Sequence, residues 1–208
     1  MLEFHLYVIT NNTLESVSAV LSRLEQILEG AERGAVAVQI REKKRPDDHI
    51  LQLADGLRML THKHGSPLFI SDRLDIALLC GADGIHLGQN SIRPEAVRRA
   101  HPHLLIGVSC HGRRELQDAI NSGADFITMS PIFDTMKGGS KISGIGTDFL
   151  KETVKASPVP IYALGGISLS TIGKLRGIGI KGVAVVSALM EVEDPREATR
   201  SLLNAFQK

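Results

Sequence analysis

Two hydrophobic periods alternate along this chain. Short runs dense in β-branched and aliphatic residues recur at His5–Thr10, Val36–Arg41, Leu68–Ser71, Gly84–Leu87, Leu105–Ser109, Phe126–Ser130, Ile161–Leu164 and Val183–Ser187. Unbroken apolar runs of this length predict strands buried on both faces. Helical spacing fills the intervals. Val17, Val20, Leu21, Leu24 and Leu28 make a 3.6-residue stripe within 14–28, and Pro46-Asp47-Asp48 is a proline and two acids suited to a helix's first turn. A short helix is predicted from Leu74 to Cys80, and a last one from Pro195 to Phe206.

Four of the strand starts read as copies of one another: Gly34-Ala35-Val36, Gly81-Ala82-Asp83, Gly123-Ala124-Asp125 and Gly179-Ile180-Lys181, each a glycine fit to end a helix and then an apolar run. The copies lie 47, 42 and 56 residues apart, too far for one strand–helix unit and right for two. Alternate strands of an eightfold repeat are therefore expected, and with them an α/β fold of the (β/α)8 TIM-barrel type, formed by residues 1–208 as one domain. One connection departs from the pattern. The segment 130–146 carries Gly138, Gly139, Gly144 and Gly146 and is long enough to be a lid or binding loop.

Composition narrows the function classes. A net charge of +1, no Trp, and basic clusters that are short and flanked by acids give no reason to expect nucleic acid. No apolar stretch is long enough to span a membrane, and the N-terminus lacks a secretory pattern. Cys80 and Cys110 make neither a disulfide framework nor a metal motif. A soluble, cytoplasmic protein is expected.

In a barrel the C-terminal strand ends converge on one face, where chemistry resides. Those ends carry Gln39, Arg41 and Lys43, then Ser71 and Asp72, His86, Ser109 and His111, Thr135 in the long loop, Gly165-Gly166, and Ser187-Ala188. Glycines after the seventh strand and a short helix after the eighth suit a phosphate held by backbone N–H groups; a tight turn and a helix cap are the plainer alternative. Gln39, Arg41 and Lys43 alternate, so they face one side, where the cations fit a phosphate or carboxylate, or an ion pair with Glu42 or Asp72. Asp72 suits a magnesium ion or a helix cap. Ser109 and Thr135 suit a ligand or nearby backbone. His86 and His111 are the candidates for moving a proton, or are hydrogen-bonded structure. His62 and His64 do not share a helix face, which argues against a metal pair.

Taken in order, Gln39-Ile40-Arg41-Glu42-Lys43, Ser71-Asp72-Arg73, His86-Leu87-Gly88-Gln89, Gly107-Val108-Ser109-Cys110-His111, Ser130-Pro131-Ile132-Phe133-Asp134-Thr135, Gly165-Gly166-Ile167 and Val185-Val186-Ser187-Ala188 resemble the thiamin phosphate synthase/TenI family across essentially the whole chain. The resemblance implies a TIM barrel in thiamin biosynthesis with one of two activities. The synthase joins a hydroxymethylpyrimidine diphosphate to a thiazole phosphate with Mg²⁺; the TenI branch includes a thiazole tautomerase that moves a proton and needs no cofactor. The resemblance also implies that Gln39 and Lys43 contact the pyrimidine and diphosphate, that Asp72 is a magnesium ligand, and that Ser109 and Thr135 are further contacts. Gly165, Gly166 and Ser187 correspond to the thiazole phosphate cradle.

Three positions depart from the synthase pattern. Ser71 replaces Asn, Ser91 replaces a second magnesium Asp, and Asp134-Thr135-Met136-Lys137 displaces a Thr and a Lys that Lys137 or Lys141 would have to replace. Pro131, in turn, occupies the position of the tautomerase histidine. Losing a metal carboxylate favours the TenI reading. In that reading Gly165, Gly166 and the Ser187-Ala188 amides hold a thiazole phosphate, Arg41 or Lys43 its carboxylate, and His111 or His86 moves the proton. The alternatives are a synthase with a relaxed magnesium site and a non-catalytic binder of thiazole or thiamin phosphate. The expected partner is the small-molecule thiazole phosphate, with room for a homo-oligomer.

Overall fold

The apolar runs close on themselves. The computed structural model describes residues 2–207 apart from 12, 15, 43, 44 and 138, with the backbone alone at 137. Its strands are β1 (Leu6–Ile9), β2 (Val36–Ile40), β3 (Leu68–Ser71), β4 (Gly84–Leu87), β5 (Leu105–Cys110), β6 (Phe126–Met129), β7 (Thr135–Lys137), β8 (Ser140–Ile142), β9 (Ile161–Leu164) and β10 (Gly182–Val185). Eight of them pair in parallel as a closed barrel in the order β1-β10-β9-β6-β5-β4-β3-β2. The fold is the expected (β/α)8 TIM barrel. The helices are α1 (Val17–Glu29), α2 (Asp47–His64), α3 (Leu74–Leu79), α4 (Pro94–Ala100), α5 (Arg113–Asn121), α6 (Thr147–Ala156), α7 (Ser187–Met190) and α8 (Pro195–Gln207), with a 3₁₀ turn at Ile172–Leu175.

Helix ends follow their sequence signals. Ser16 accepts the Ala19 N–H at 3.2 Å and starts α1. Asp47 and Asp48 open α2, His62, Lys63 and His64 close it, and Gly65 stops it at φ 63°, an arrangement that complements the helix dipole. Ser187 leaves the expected strand and begins α7, the short helix expected after the eighth barrel strand. One sequence expectation changes. The segment 130–146 is not structureless: β7 and β8 form an antiparallel hairpin inside it.

The repeated Gly-Ala-Asp units have a structural purpose. Asp83 Oδ2 accepts the Leu68 N–H at 2.8 Å and an Arg58 N–H at 2.6 Å. Asp125 Oδ2 does the same with Ile106 N at 2.7 Å and Arg98 at 2.5 Å. Each aspartate thus satisfies a backbone donor at the start of a neighbouring strand and ties it to an outer helix. Replacing Asp83 or Asp125 by alanine is expected to cost about 1.5 kcal/mol each, the range for a hydrogen bond to a charged group at a partly exposed site. Urea denaturation measures this. An unchanged midpoint, or a raised KM for substrate, would contradict a purely structural role.

Five of the eight Phe and Tyr residues fill the barrel interior: Phe4, Tyr7, Phe69, Phe126 and Tyr162, all fully buried. Phe4 stacks on Tyr162 with centroids 4.7 Å apart, and Tyr7 meets Phe69 edge-on at 5.5 Å. Glycine makes room for them. A Cβ on Gly84 would lie 2.5 Å from Phe69, and one on Gly107 only 2.4 Å from Phe126, so neither strand could approach the rings with a larger residue. This plug closes the lower barrel and leaves the upper, C-terminal mouth as the place for chemistry.

Candidate active site

Above the plug the inward-facing residues turn polar. Gln39 from β2, Ser71 from β3, His86 from β4, Ser109 from β5 and Thr128 from β6 meet in one polar layer, in which Ser71 pairs in register with His86 and Ser109 with Thr128. Gln39 Nε2 donates to Ser71 Oγ at 3.0 Å. Its Oε1 is buried without a partner among the described residues. The amide therefore presents an acceptor that calls for an N–H or O–H donor in a ligand, because a buried polar atom left unpaired costs free energy.

His86 is 3% exposed. Its Nδ1 lies 3.2 Å from the Tyr7 hydroxyl and its Nε2 2.9 Å from Ser109 Oγ. Burial pushes its pKa down to about 3, outweighing the opposing pull of Asp72. The ring is neutral at physiological pH with both nitrogens engaged, so the expectation that His86 shuttles a proton does not match its placement. His111 differs. It is exposed, its Nδ1 lies 2.8 Å from the Ser130 carbonyl, and its backbone N–H donates to Glu115 at 2.6 Å. A carbonyl only accepts, so Nδ1 carries a proton, and Nε2 has no hydrogen-bond partner among the described residues.

The rim is set by backbone geometry. Asp72 is the one non-glycine residue at positive φ, 62°, among the described residues. It does not cap α3, whose N-cap is Arg73 without a side-chain bond. Instead the Ser91 hydroxyl donates to Asp72 Oδ1 while accepting the Gly88 N–H at 2.7 Å. The residue that stands where a second carboxylate was expected thus orients the first. Among the described residues no three His, Cys, Asp or Glu side chains gather as a metal cage. One carboxylate with open coordination still fits Mg²⁺, which is commonly bound by one or two carboxylates together with substrate phosphates and water.

Arg41 is anchored through its backbone N–H to Thr10 Oγ1 at 2.9 Å. Glu42, offered as a partner for Arg41 or Lys43, is buried and faces Arg45 at 3.8 Å; burial is the main force raising its pKa. Lys43, expected to contact diphosphate, lies outside the described residues. Lys141, a candidate for the displaced loop lysine, is paired with Asp134 at 2.8 Å across the hairpin base. Thr135 opens β7 and pairs in register with Ile142; no hydrogen bond joins its side chain to the polar layer among the described residues.

Gly165 and Gly166 follow β9 at φ 94° and 66°. The loop after β6 is fastened beside them, with Ile132 N donating to Leu164 O at 2.9 Å and Phe133 N to Gly165 O at 3.1 Å. Ser187 and Ala188 occupy the first turn of α7, which follows β10, the strand beside β9.

The comparisons with known proteins bear on this same barrel. The family model described as thiamine monophosphate synthase matches residues 6–189. The chain belongs to the thiamine monophosphate synthase family. A putative thiamine-phosphate synthase of Geobacter sulfurreducens is 42% identical over 203 residues, covering 97% of this chain and 93% of that protein. The thiamine-phosphate synthase of Pyrococcus horikoshii is 35% identical over 203 residues, covering 98% and 95%. Among solved structures, thiamine phosphate pyrophosphorylase from Pyrococcus furiosus superposes with a TM-score of 0.89 at 32% identity, covering 99% of this chain and 96% of that one. These names back the synthase alternative better than the TenI reading: two of the three are named thiamine-phosphate synthase, the third thiamine phosphate pyrophosphorylase, and none of the three is named a tautomerase. No helix among the described residues is long and apolar enough to cross a membrane.

Sequence reading located the rim but missed Tyr7 and Thr128. Both lie in strongly apolar runs, where an inward hydroxyl has the same pattern as a core residue. Ser91 was visible only as a departure; its bond to Asp72 had no sequence signal.

Proposed function

We propose that this protein is a thiamin phosphate synthase, joining a hydroxymethylpyrimidine diphosphate to a thiazole phosphate. The observation that carries the reading is the buried Gln39 Oε1 in the polar layer, unpartnered among the described residues, with its amide nitrogen already committed to Ser71. An aminopyrimidine supplies the N–H donor this oxygen needs; an aromatic thiazole phosphate does not. The reaction class agrees with the site. The thiazole nitrogen's lone pair forms a bond to the pyrimidine methylene carbon, and the C–O electrons leave with diphosphate. No proton need be transferred, which suits a polar layer whose only histidine is held neutral.

In this reading Gln39 and Ser109 orient the pyrimidine diphosphate, and Arg41, Lys43 and Thr135 contact its phosphates. Gly165, Gly166 and the Ser187 and Ala188 N–H groups hold the thiazole phosphate. Asp72, oriented by Ser91, would hold Mg²⁺ together with diphosphate oxygens. The bound ion would supply charge neutralisation for the leaving group.

The test is direct: purified protein, pyrimidine diphosphate, aromatic thiazole phosphate and Mg²⁺, with thiamin phosphate assayed. Magnesium-dependent turnover is the expected result. Absence of product together with proton exchange on the carboxylated thiazole would instead establish the second reading, proton transfer. One observation favours that reading: His111 is held through Nδ1 by the Ser130 carbonyl, next to Pro131, and its Nε2 has no hydrogen-bond partner among the described residues.

A further inference from the structure

The polar layer contains more hydroxyl hydrogens than its contacts use, and counting donors places the Ser109 hydrogen among those left to point at a substrate. The Tyr7 hydroxyl is fully buried, and burial drives its pKa well up, so it keeps its proton. Its one hydrogen-bond partner among the described residues is His86 Nδ1 at 3.2 Å. An unpaired buried O–H is costly, so Tyr7 donates and Nδ1 accepts. A neutral imidazole with Nδ1 as acceptor carries its proton on Nε2. That N–H has Ser109 Oγ before it at 2.9 Å. Thr128, also fully buried, donates to the same oxygen at 3.3 Å and lies 3.4 Å from His86 Nε2. Ser109 Oγ thus accepts from two sides and has one hydrogen left, on a half-buried hydroxyl at the mouth.

We propose that Tyr7, His86 and Thr128 are positioning residues, a one-way hydrogen-bond relay that makes Ser109 a donor toward an acceptor atom of the substrate, a phosphate oxygen or a ring nitrogen. Gly107 belongs to the same device, because a Cβ there would stand 2.7 Å from His86 Nδ1 and displace the ring. The relay explains why a histidine sits here without acting as acid or base. A protonated His86 would donate from both nitrogens and leave the Tyr7 hydrogen without an acceptor. An Nδ1–H tautomer would let Ser109 turn inward and spend its hydrogen on Nε2. The substrate-facing step rests on the synthase reading; the tautomer does not.

The experiment is ¹⁵N NMR of histidine-labelled protein, wild type and Tyr7→Phe, with kcat/KM and pyrimidine diphosphate affinity measured on both. Wild-type His86 is expected as the neutral Nε2–H tautomer from about pH 5 to about pH 8, without titrating. Tyr7→Phe is expected to bring in the Nδ1–H tautomer and to lower kcat/KM about tenfold, the size of one lost hydrogen bond to substrate. Thr128→Val, which removes the second donor to Ser109, serves if Tyr7→Phe does not fold. A wild-type Nδ1–H tautomer, or titration near neutrality, would overturn the relay on the native protein alone. A tautomer shift in the variant with unchanged kcat/KM and affinity would overturn its role in positioning Ser109. If the protein makes no thiamin phosphate, the tautomer and the affinity still decide the relay, so its failure is distinct from failure of the synthase reading.

Discussion

Asp72→Asn is expected to lower kcat/KM for thiamin phosphate formation about a hundredfold at limiting Mg²⁺, and less at saturating Mg²⁺. The change removes the rim carboxylate proposed to hold the cation while keeping the shape of the side chain. It also spares the backbone. Asp72 sits at φ 62°, where asparagine is as acceptable as aspartate and alanine is not. An amide oxygen still accepts the Ser91 hydroxyl, so the orienting bond survives without the charge. Loss of activity can therefore be read as loss of charge. The check is a Mg²⁺ titration of initial rates on both proteins with matched far-UV circular dichroism; a variant within threefold of wild type at every Mg²⁺ concentration would remove Asp72 from the metal site.

Gly165→Ala is expected to cost about 2–6 kcal/mol of stability and to abolish measurable thiazole phosphate binding. Two penalties coincide at this position. At φ 94° an L-residue is strained by roughly 1–3 kcal/mol. The added methyl would also lie 2.6 Å from Pro131 Cβ and 2.7 Å from Pro131 Cα, and that overpacking against backbone adds about 1–3 kcal/mol. Neither neighbour can yield, because Ile132 N and Phe133 N bind the loop to Leu164 O and Gly165 O. The affected backbone is the one proposed to approach the thiazole phosphate, so stability and binding should fall together. Gly173→Ala is the control: a Cβ there meets nothing within 4 Å, and the variant should unfold near the wild-type midpoint. Urea denaturation and calorimetry with thiazole phosphate decide the matter, and a Gly165→Ala protein with wild-type midpoint and affinity would show that the close approach is dispensable.

The strands were legible because barrel strands are buried on both faces, so Val36–Ile40 and Phe126–Met129 announce themselves as apolar runs without any tertiary information. Helix ends were legible for an equally local reason: Gly81 and Gly123 adopt positive φ where the sequence places helix-ending glycines. The polar ends of those strands fall on one rim because every parallel strand of a closed barrel points the same way. Local signals therefore reached the fold and the address of the site.

Roles within the site depended on closure. Tyr7 and His86 are 79 residues apart, and Asp72 and Ser91 are 19 apart; which hydroxyl meets which ring is set by barrel register and by the φ of Asp72, and no periodicity records either. Charge state follows the same rule. His86 looks like a proton carrier in the sequence, and only its enclosure by Phe126, Tyr7 and Ser109 makes it neutral, because the cost of ionisation is a property of surroundings. The glycines show the division most plainly. Their positions are written in the chain, but that Gly84 and Gly107 admit an aromatic plug while Gly165 admits a loop was decided by which side chains the closed barrel brings against them. Sequence alone determined where the buried strands lie and where the chain turns; tertiary structure decided which residues face inward and what each of them meets, since hydrogen bonds and desolvation act between neighbours in space.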